Sequence, residues 1–133
     1  MADYAVRRID DMEAIVRGSF KKARAELGIT AFGIQVIDFP PNVDGYPEHD
    51  HSQDGQEEVY VVMRGDGEID IEGERMPLDP ETMVRVSAGT KRKLYPGGEG
   101  MRVLVVGGVP GEAYRVRDFT ELGAPDPFAP TAG

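Results

Sequence analysis

The chain has 133 residues and no cysteine, 40% of its residues are apolar, and its formal net charge is −9. A chain of this length buries a core without disulfides, so the composition indicates one soluble globular domain. The lack of cysteine excludes thiolate ligands, so a bound metal must be held by nitrogen and oxygen. The acidic balance argues against a nucleic-acid partner. No apolar run approaches the roughly 20 residues that span a bilayer and no signal-peptide pattern opens the chain, so we expect a cytoplasmic protein without a membrane partner.

The first predicted unit is an N-terminal arm of strand and helix over 1–28. Asp10 and Glu13 have the spacing of a capping box. Apolar residues then recur at spacings of three and four and end before a predicted glycine cap; they are Ile9, Met12, Val16, Phe20, Ala23 and Leu27, with Gly28 as the cap. Gly18 interrupts the run and would cost about 1 kcal/mol inside a helix. We therefore expect a helix over Asp11–Arg17, whereas Lys21–Leu27 is either helical or extended.

The segment 29–117 is predicted to form a β-domain, because its apolar residues alternate with a period of two from Phe32 to the Pro40-Pro41 break. Further short strands are predicted at Glu48–His51, Glu57–Met63, Glu68–Ile71, Arg75–Leu78, Met83–Val86, Arg92–Tyr95, Met101–Val106 and Ala113–Arg117. Glycine and proline separate them, with a hairpin turn expected at Gly65-Asp66-Gly67. This pattern is typical of an all-β sandwich or barrel. The segment 118–133 is predicted to be a C-terminal tail, and its proline-containing part, Gly123–Gly133, is expected either to be disordered or to lie over a neighbour.

The only two histidines of the chain, His49 and His51, lie two residues apart. On extended backbone their side chains point to the same face. Glu57 and Glu58 open the apolar run that follows, and adjacent strand residues face opposite ways, so only one of the two can join the histidines. Two imidazoles and one carboxylate are a common protein set for a divalent metal with open coordination positions.

The residues from His49 onward resemble the first motif of the cupins. His49-Asp50-His51, Glu58 and Gly65 stand in the order of that motif, and the run from Glu57 to Glu68 looks very like a cupin strand pair and its turn. Glu58 fits the family glutamate better than Glu57, because it stands seven residues before Gly65. The resemblance covers roughly 34–106 and implies an all-β fold, the double-stranded β-helix or small antiparallel barrel. It also implies that His49, His51 and Glu58 hold a divalent metal such as Fe, Mn, Ni or Zn.

The chain departs from the second cupin motif at the position of the fourth metal ligand. The motif has a proline, a glycine two residues later and a histidine three beyond that; here these are Ser87, Gly89 and Arg92. Arginine stays protonated and is a poor metal ligand. With Lys91 and Lys93 pointing outward, Arg92 points inward, and a buried arginine needs an anionic partner. That partner is either Glu58, in a bidentate pair that fills the space, or an anionic ligand.

Three functions stay open, because the cupin fold hosts all of them. In the first, the barrel binds a small anionic molecule through Arg92, Tyr60, His49 and His51, with or without a metal. In the second, a metal-dependent enzyme, dioxygenase-like or isomerase-like, uses His49, His51 and Glu58 as its metal ligands. In the third, a metal-free isomerase or epimerase uses one of the histidines as its base.

The expected cofactors and partners follow from the same patterns. The chain carries neither a phosphate-binding loop nor a dinucleotide fingerprint, so no nucleotide cofactor is expected. The cupin resemblance implies a homodimer, and the outward apolar side chains of Val59, Val61 and Met63 are compatible with one.

Overall fold

The computed structural model describes residues 2–44 and 46–128. Among them, seven antiparallel strands form one sheet in the order β1-β2-β3-β7-β4-β5, with β6 paired to β4. The strands are β1 Ala14–Ile15, β2 Phe20–Lys21, β3 Gly33–Phe39, β4 Glu57–Ile71, β5 Glu74–Leu78, β6 Met83–Val86 and β7 Arg92–Gly108. One helix, α1 Ala23–Leu27, and two 3-10 turns, Ile9–Asp11 and Asp118–Thr120, complete the structure. No helix in the described part of the chain is long and apolar enough to cross a membrane.

The strands β4 and β7 are much longer than predicted, at 15 and 17 residues. Each joins two predicted strands into one, and they pair along their length with register shifts at Val62/Arg64 and Gly65/Gly67. The predicted hairpin turn at Gly65-Asp66-Gly67 is therefore wrong, because these residues form a bulge within β4. Gly65 has a φ of +75°, and a Cβ there would collide with the Gly100 carbonyl. Glycine at position 65 allows the backbones of the two bent strands to approach closely. The positive φ that was expected in a hairpin turn therefore occurs in a β-bulge.

The helix predicted over Asp11–Arg17 is wrong. That segment contains β1 and a tight turn in which Val16, Arg17 and Gly18 all have positive φ, at 56°, 56° and 84°. Gly18 therefore closes a short hairpin to β2. The apolar residues with helical spacing do not share one face. Met12 and Ala23 are buried in an outer cluster with Val36, Phe20 packs on the main core, and Val16 is exposed.

The short helix forms in the part of the arm that was expected to be either helical or extended. It spans Ala23–Leu27, and the predicted cap at Gly28 is confirmed. Gly28 is left-handed, and its N–H donates to the carbonyls of Ala25 and Arg24. Glu13 makes no capping box; its carboxylate accepts from the Lys22 ammonium at 2.7 Å and from the Gly123 amide at 2.8 Å.

Two other strand predictions also fail, whereas β5 and β6 lie where the pattern placed them. The segment 48–51 forms only one bridge, between His49 and Arg92, because the amide of His51 donates to the Ala88 carbonyl in a loop. The segment 113–117 has no ladder partner and forms no strand. Its side chains, including Tyr114 and Arg117, contact other parts of the chain instead.

The C-terminal segment packs against the N-terminal hairpin of the same chain. The Asp126 carboxylate accepts from the Val16 amide at 2.8 Å, and the rings of Phe119 and Phe20 lie 5.7 Å apart. For 123–128, the described part of the segment expected to be disordered or to lie over a neighbour, the structure instead shows packing on the same chain. The remaining residues of the predicted tail, 129–133, lie outside the described residues.

The main core fills the inner face of the sheet. Its buried members are Ile37, Phe39, Tyr60, Val62, Ile69, Leu78, Val86, Leu94, Met101, Val103 and Val105. On β4 the inward positions run from Val62 through Tyr60 to Glu58, so the apolar lining gives way to a carboxylate near the strand's first residue. The candidate site lies at this end of the core.

Candidate metal and anion site

Three chain segments bring the candidate residues together. His49 and His51 lie on the loop between β3 and β4, Glu58 is the second residue of β4, and Arg92 opens β7. His49 and Arg92 exchange backbone hydrogen bonds of 3.0 and 2.9 Å, which fixes the loop against β7. The backbone of His49 is bonded to Arg92, and the amide of His51 is bonded to the Ala88 carbonyl. These bonds keep both imidazoles on the same side of the segment, as on a strand, although the segment forms no strand.

The structure places His49, His51 and Glu58 as one group. Nε2 of His51 lies 3.1 Å from Oε1 of Glu58, and Nε2 of His49 lies 4.0 Å from the same oxygen. The three potential ligand atoms lie within 4.8 Å of one another. Glu57 points the other way and lies 3.8 Å from Arg85 on the outer face, so the glutamate beside the histidines is Glu58, which the spacing to Gly65 had favoured.

The hydrogen bonds of the imidazoles turn their Nε2 lone pairs toward Glu58. Nδ1 of His49 lies 3.2 Å from the Pro47 carbonyl, and Nδ1 of His51 lies 3.1 and 3.2 Å from the two carboxylate oxygens of Asp54. These oxygens only accept, so each Nδ1 carries a proton. Nε2 of His51 is buried; unprotonated, it receives no hydrogen bond from the described residues, and protonated, it would donate to Glu58. Two nitrogen lone pairs and a carboxylate that converge in this way need a proton or a cation between them, so the residues fit a divalent metal.

The pKa directions agree with a site that attracts positive charge. Burial lowers the pKa of His51, but hydrogen bonding and charge from Glu58 and Asp54 outweigh it and raise the pKa overall. Burial acts to raise the pKa of Glu58, yet its neighbours, His51 first, lower it overall, so the carboxylate is ionised. The pKa of His49 is lowered, mainly by burial, which leaves its imidazole neutral and able to act as a ligand.

Arg92 is fully buried and only partly satisfied. Its Nη2 donates to the Ser87 carbonyl at 2.9 Å, and its Nη1 lies 3.8 Å from Oε1 of Glu58. Nε and Nη1 have no hydrogen-bond partner among the described residues. The alternative in which Arg92 takes up Glu58 in a bidentate pair is therefore absent here. A buried guanidinium with unpartnered donors is costly unless something else binds it.

Tyr60 is a member of the main core and contacts the candidate site through Glu58. It is 1% exposed, and its hydroxyl donates to Oε1 of Glu58 at 2.7 Å. This hydrogen bond holds the Glu58 carboxylate in place, so the primary role of the Tyr60 hydroxyl is to position Glu58.

Sequence reasoning missed the residues that orient the histidines. The Asp54 carboxylate accepts hydrogen bonds from Nδ1 of His51 and from the backbone amide and side-chain amide of Gln56. It also lies 3.6 Å from Nη1 of Arg117. The Tyr46 ring packs edge-on against His49 with centroids 5.7 Å apart. The sequence offered one signal for Asp54: it is an acidic residue in a polar loop, three residues after the candidate ligand His51.

A groove of about 600 Å³ lies elsewhere on the molecule and contains none of these residues. Its lining includes Tyr95, over whose ring the Arg75 guanidinium lies at 3.7 Å, and Asp44, which pairs with Lys93 at 3.0 Å. Because these charges already have partners, the ionisable cluster around Glu58 is the stronger candidate for chemistry.

Comparison with known proteins identifies the fold. No protein-family model matches the chain, and no curated protein is significantly similar to it. A cupin protein from Bacteroides fragilis is similar in structure, with a TM-score of 0.67 and 19% identity over 88% of this chain and 93% of that one. An RmlC-like cupin protein from Desulfovibrio desulfuricans matches with a TM-score of 0.52 and 24% identity over 59% of this chain and 72% of that one.

A predicted oxalate decarboxylase from Thermotoga maritima is also similar, with a TM-score of 0.52 and 19% identity over 59% of this chain and 68% of that one. These similarities, together with the antiparallel sheet, show that the chain has the cupin fold.

Proposed function

We propose that this protein binds a small anionic molecule at a divalent metal held by His49, His51 and Glu58, with Arg92 as a second anion-binding group. The observation that carries the proposal is the combination of three converging ligand atoms with a fully buried, under-satisfied arginine. Arg92 and Glu58 cancel in charge, so a divalent ion with neutral imidazoles leaves an excess of two positive charges. A small monocarboxylate would neutralise one of these charges and a dicarboxylate both, and either would satisfy free donors of Arg92.

Each residue has a distinct role in this proposal. The two imidazoles and Glu58 would hold the ion, which when bound would supply Lewis acidity and open positions for the anion. Asp54 and the Pro47 carbonyl keep the imidazoles in the tautomer that exposes Nε2, and Tyr60 fixes the carboxylate. The similarity of fold to a predicted oxalate decarboxylase supports a carboxylate as the type of ligand to try first.

Elemental analysis of protein purified without chelator tests the metal. We expect stoichiometric Fe, Mn, Ni or Zn in the parent protein and none in a His49→Ala, His51→Ala double variant. Glu57→Gln is the matched control, because Glu57 lies on the outer face beside Arg85. Metal-free parent protein that takes up none of these four ions on addition would refute the metal site and favour a metal-free role for the histidines.

Titration of the Co²⁺-loaded protein with formate and oxalate tests the anion. Binding at the metal should change the visible spectrum of the ion. We expect the Arg92→Met variant to bind these anions about 10- to 100-fold more weakly, which corresponds to loss of a charge-assisted hydrogen bond. Equal affinity of the parent and the variant would show that Arg92 does not contact the anion.

A metal-dependent enzyme at the same residues is the alternative function. The three protein ligands leave coordination positions open, which is what dioxygenase-like or isomerase-like chemistry also needs. Oxygen uptake by the Fe-loaded protein in the presence of small carboxylates, absent with the Zn-loaded protein, would favour a dioxygenase over a binding protein.

A homodimer through the outer face of β4 and β6 is part of the proposal. Met63 and Met83 lie on this face and are 44% and 71% exposed; Val61, which pairs with Met83, and Val59 lie on the same face. Sedimentation equilibrium should give twice the chain mass, and a Met63→Glu, Met83→Glu double variant should give the chain mass. A monomeric parent protein would exclude this interface.

A further inference from the structure

Gln56 is a buried polar residue at the end of the loop that carries the histidines. It lies immediately before β4 and is 5% exposed, whereas Gln53 in the same loop is exposed. An amide that is removed from water costs free energy unless its polar atoms find partners. The side-chain amide of Gln56 finds its partner in Asp54, which contacts the candidate metal ligand His51.

Gln56 holds both carboxylate oxygens of Asp54. Its backbone amide donates to Oδ1 at 3.2 Å, and its side-chain Nε2 donates to Oδ2 at 3.0 Å. A carboxylate only accepts hydrogen bonds, so the side-chain amide has one usable orientation here. Arg117 lies 3.6 Å from Oδ2, but its side chain is 49% exposed and such pairs contribute little. Apart from His51, the orientation of the Asp54 carboxylate therefore depends mainly on Gln56.

The Gln56 side chain packs against a glycine of β7. A Cβ on Gly107 would lie 2.8 Å from Oε1 of Gln56, a distance at which one of the two groups would have to move. The same Cβ would lie 3.3 Å from Cγ of Glu58, so Gln56 and Glu58 pack against the same glycine. Gln56 is therefore held beside the candidate site by the backbone of β7 as well as by its hydrogen bonds to Asp54.

The Asp54 carboxylate influences how His51 is presented to a metal. Its oxygens lie 3.1 and 3.2 Å from Nδ1 of His51, whereas Oε1 of Glu58 lies 3.1 Å from Nε2 of the same ring. A neutral imidazole carries one proton, so the two carboxylates compete for it. Binding of a metal at Nε2 needs the proton on Nδ1. Each contact that holds Asp54 in place favours this tautomer.

We propose that Gln56 is a positioning residue that holds Asp54 against Nδ1 of His51 and so keeps Nε2 free for the metal. This inference rests on the proposed function, because it concerns a ligand of that same metal site. Without the side-chain amide of Gln56, the Asp54 carboxylate loses one of its donors and turns more readily toward solvent. The proton of His51 then shifts toward Nε2, where it faces Glu58 and occupies the lone pair that the ion needs.

NMR of the metal-free, ¹⁵N-labelled protein tests the positioning role without a metal. At a pH alkaline enough to leave the imidazole neutral, the ¹⁵N shifts of the ring report the ratio of the Nδ1–H to the Nε2–H tautomer. We expect this ratio for His51 to fall about threefold or more in Gln56→Met, which keeps the length of the side chain but not its donor. Gln53→Met is the matched control, because Gln53 lies in the same loop and is exposed.

Calorimetric titration with Zn²⁺ tests the consequence for the metal. The affinity of Gln56→Met should be about three- to tenfold below that of the parent, less than for a residue that bonds directly to the ligand, because Gln56 acts through Asp54. Gln53→Met should stay within about twofold of the parent. Gln56→Leu, which is apolar and of similar volume, is the second variant should the methionine variant fail to fold, and the same falls are expected.

The two measurements separate this inference from the proposed function. A tautomer ratio unchanged in both Gln56 variants would overturn the role of Gln56, whether or not the parent binds Zn²⁺. A lower ratio with unchanged Zn²⁺ affinity would also overturn it, because the tautomer of His51 would then not limit metal binding. Failure of the parent to bind Zn²⁺, Fe, Mn or Ni would overturn the proposed function, and the inference would fall with it.

Discussion

Three arginines in the described part of the chain are almost completely removed from solvent, and the two of them on β7 have opposite surroundings. Arg102, on β7, is 8% exposed and donates to both carboxylate oxygens of Asp38, at 2.7 and 3.0 Å, and also to Asp10. Arg92, at the start of the same strand, is 0% exposed, yet it makes one side-chain hydrogen bond, to a backbone carbonyl. Its nearest carboxylate, Glu58, is shared with His51 and Tyr60.

The difference separates a structural arginine from a candidate binding residue. Two carboxylates neutralise Arg102, so its charge is fully used within the fold. The charge of Arg92 is buried at a cost that its own contacts do not offset. Binding of an anion would offset this cost, and for that reason the proposed function assigns anion binding to Arg92.

The largest effect is expected from converting Arg92 into a metal ligand. In Arg92→His the imidazole would replace a cation with a fourth neutral donor close to Glu58, so divalent metal affinity should rise about 100-fold or more. Competition with a chelator of known affinity measures this. Arg102→His is the matched control and should leave metal affinity unchanged; equal affinities of all three proteins would show that Arg92 does not occupy the fourth-ligand position.

The next effect concerns stability. Arg102→Met removes the cation between Asp38 and Asp10, and the free energy of unfolding should fall by about 2–3 kcal/mol. Arg92→Met removes an under-satisfied charge, so its free energy of unfolding should stay within about 1 kcal/mol of the parent or increase. Urea unfolding of metal-free proteins measures both. A larger loss for Arg92→Met than for Arg102→Met would reverse the comparison.

A smaller effect is expected when the hydrogen bond beneath the site is removed. Tyr60→Phe deletes the hydroxyl that donates to Glu58, which should raise the pKa of Glu58 and weaken divalent metal binding about three- to tenfold, the worth of one hydrogen bond to a charged group. Isothermal titration with Zn²⁺ measures it. An unchanged affinity would mean that Tyr60 does not position the carboxylate.

The two regions should also differ in how their stability depends on pH. Burial acts to raise the pKa of Asp38, but Arg102 outweighs it and the pKa is lowered. This stabilisation is therefore present above the unfolded-state pKa of about 3.9 and lost as pH falls through the lower folded value. In Asp38→Asn the fall in stability on acidification should be shallower, as measured by urea unfolding across that range; an identical acid dependence would contradict the assignment.

The contribution of His51 to stability should depend on pH in the opposite direction. Its pKa is raised above 6.5 in the folded protein, so its contribution is fully present below that value and is lost as pH rises through the folded pKa. Metal-free parent protein should therefore lose some stability between weakly acidic and weakly alkaline pH, and His51→Gln should not. NMR titration of the two imidazoles provides an independent measurement, in which His51 should titrate at the higher pH.

Much of the site could be predicted because strand alternation is a strong local rule. It showed that only one of Glu57 and Glu58 can join the histidines, and it placed Arg92 inward between two lysines. The seven-residue spacing to Gly65 then favoured Glu58. Predictions from local patterns were wrong where glycine is compatible with two different backbone structures. Gly65 and Gly67 suit a hairpin turn as well as a bulge between bent strands, and the choice depends on the partner strand. The same ambiguity produced a predicted helix around Gly18, where the chain turns.

Contacts made over long sequence separations could not be predicted from any local pattern. Tyr114 meets Gly33 through the fold alone, and Arg117 reaches Asp54 in the same way. Neither residue stands in a periodic segment. Asp54 was closer to prediction, because it lies three residues from His51, but a polar loop offers several acids and the backbone decides which one turns inward.

The ammonium of Lys22 has a consequence for the order of folding. It is fully buried, and its three hydrogen bonds go to the Glu13 carboxylate and to the carbonyls of Glu121 and Ala124, 99 and 102 residues further along the chain. During synthesis the N-terminal hairpin therefore emerges with a charge that it cannot bury until residue 124 has been made. Closing so long a loop is slow, so this corner should be among the last to form and among the first to open to hydrogen exchange.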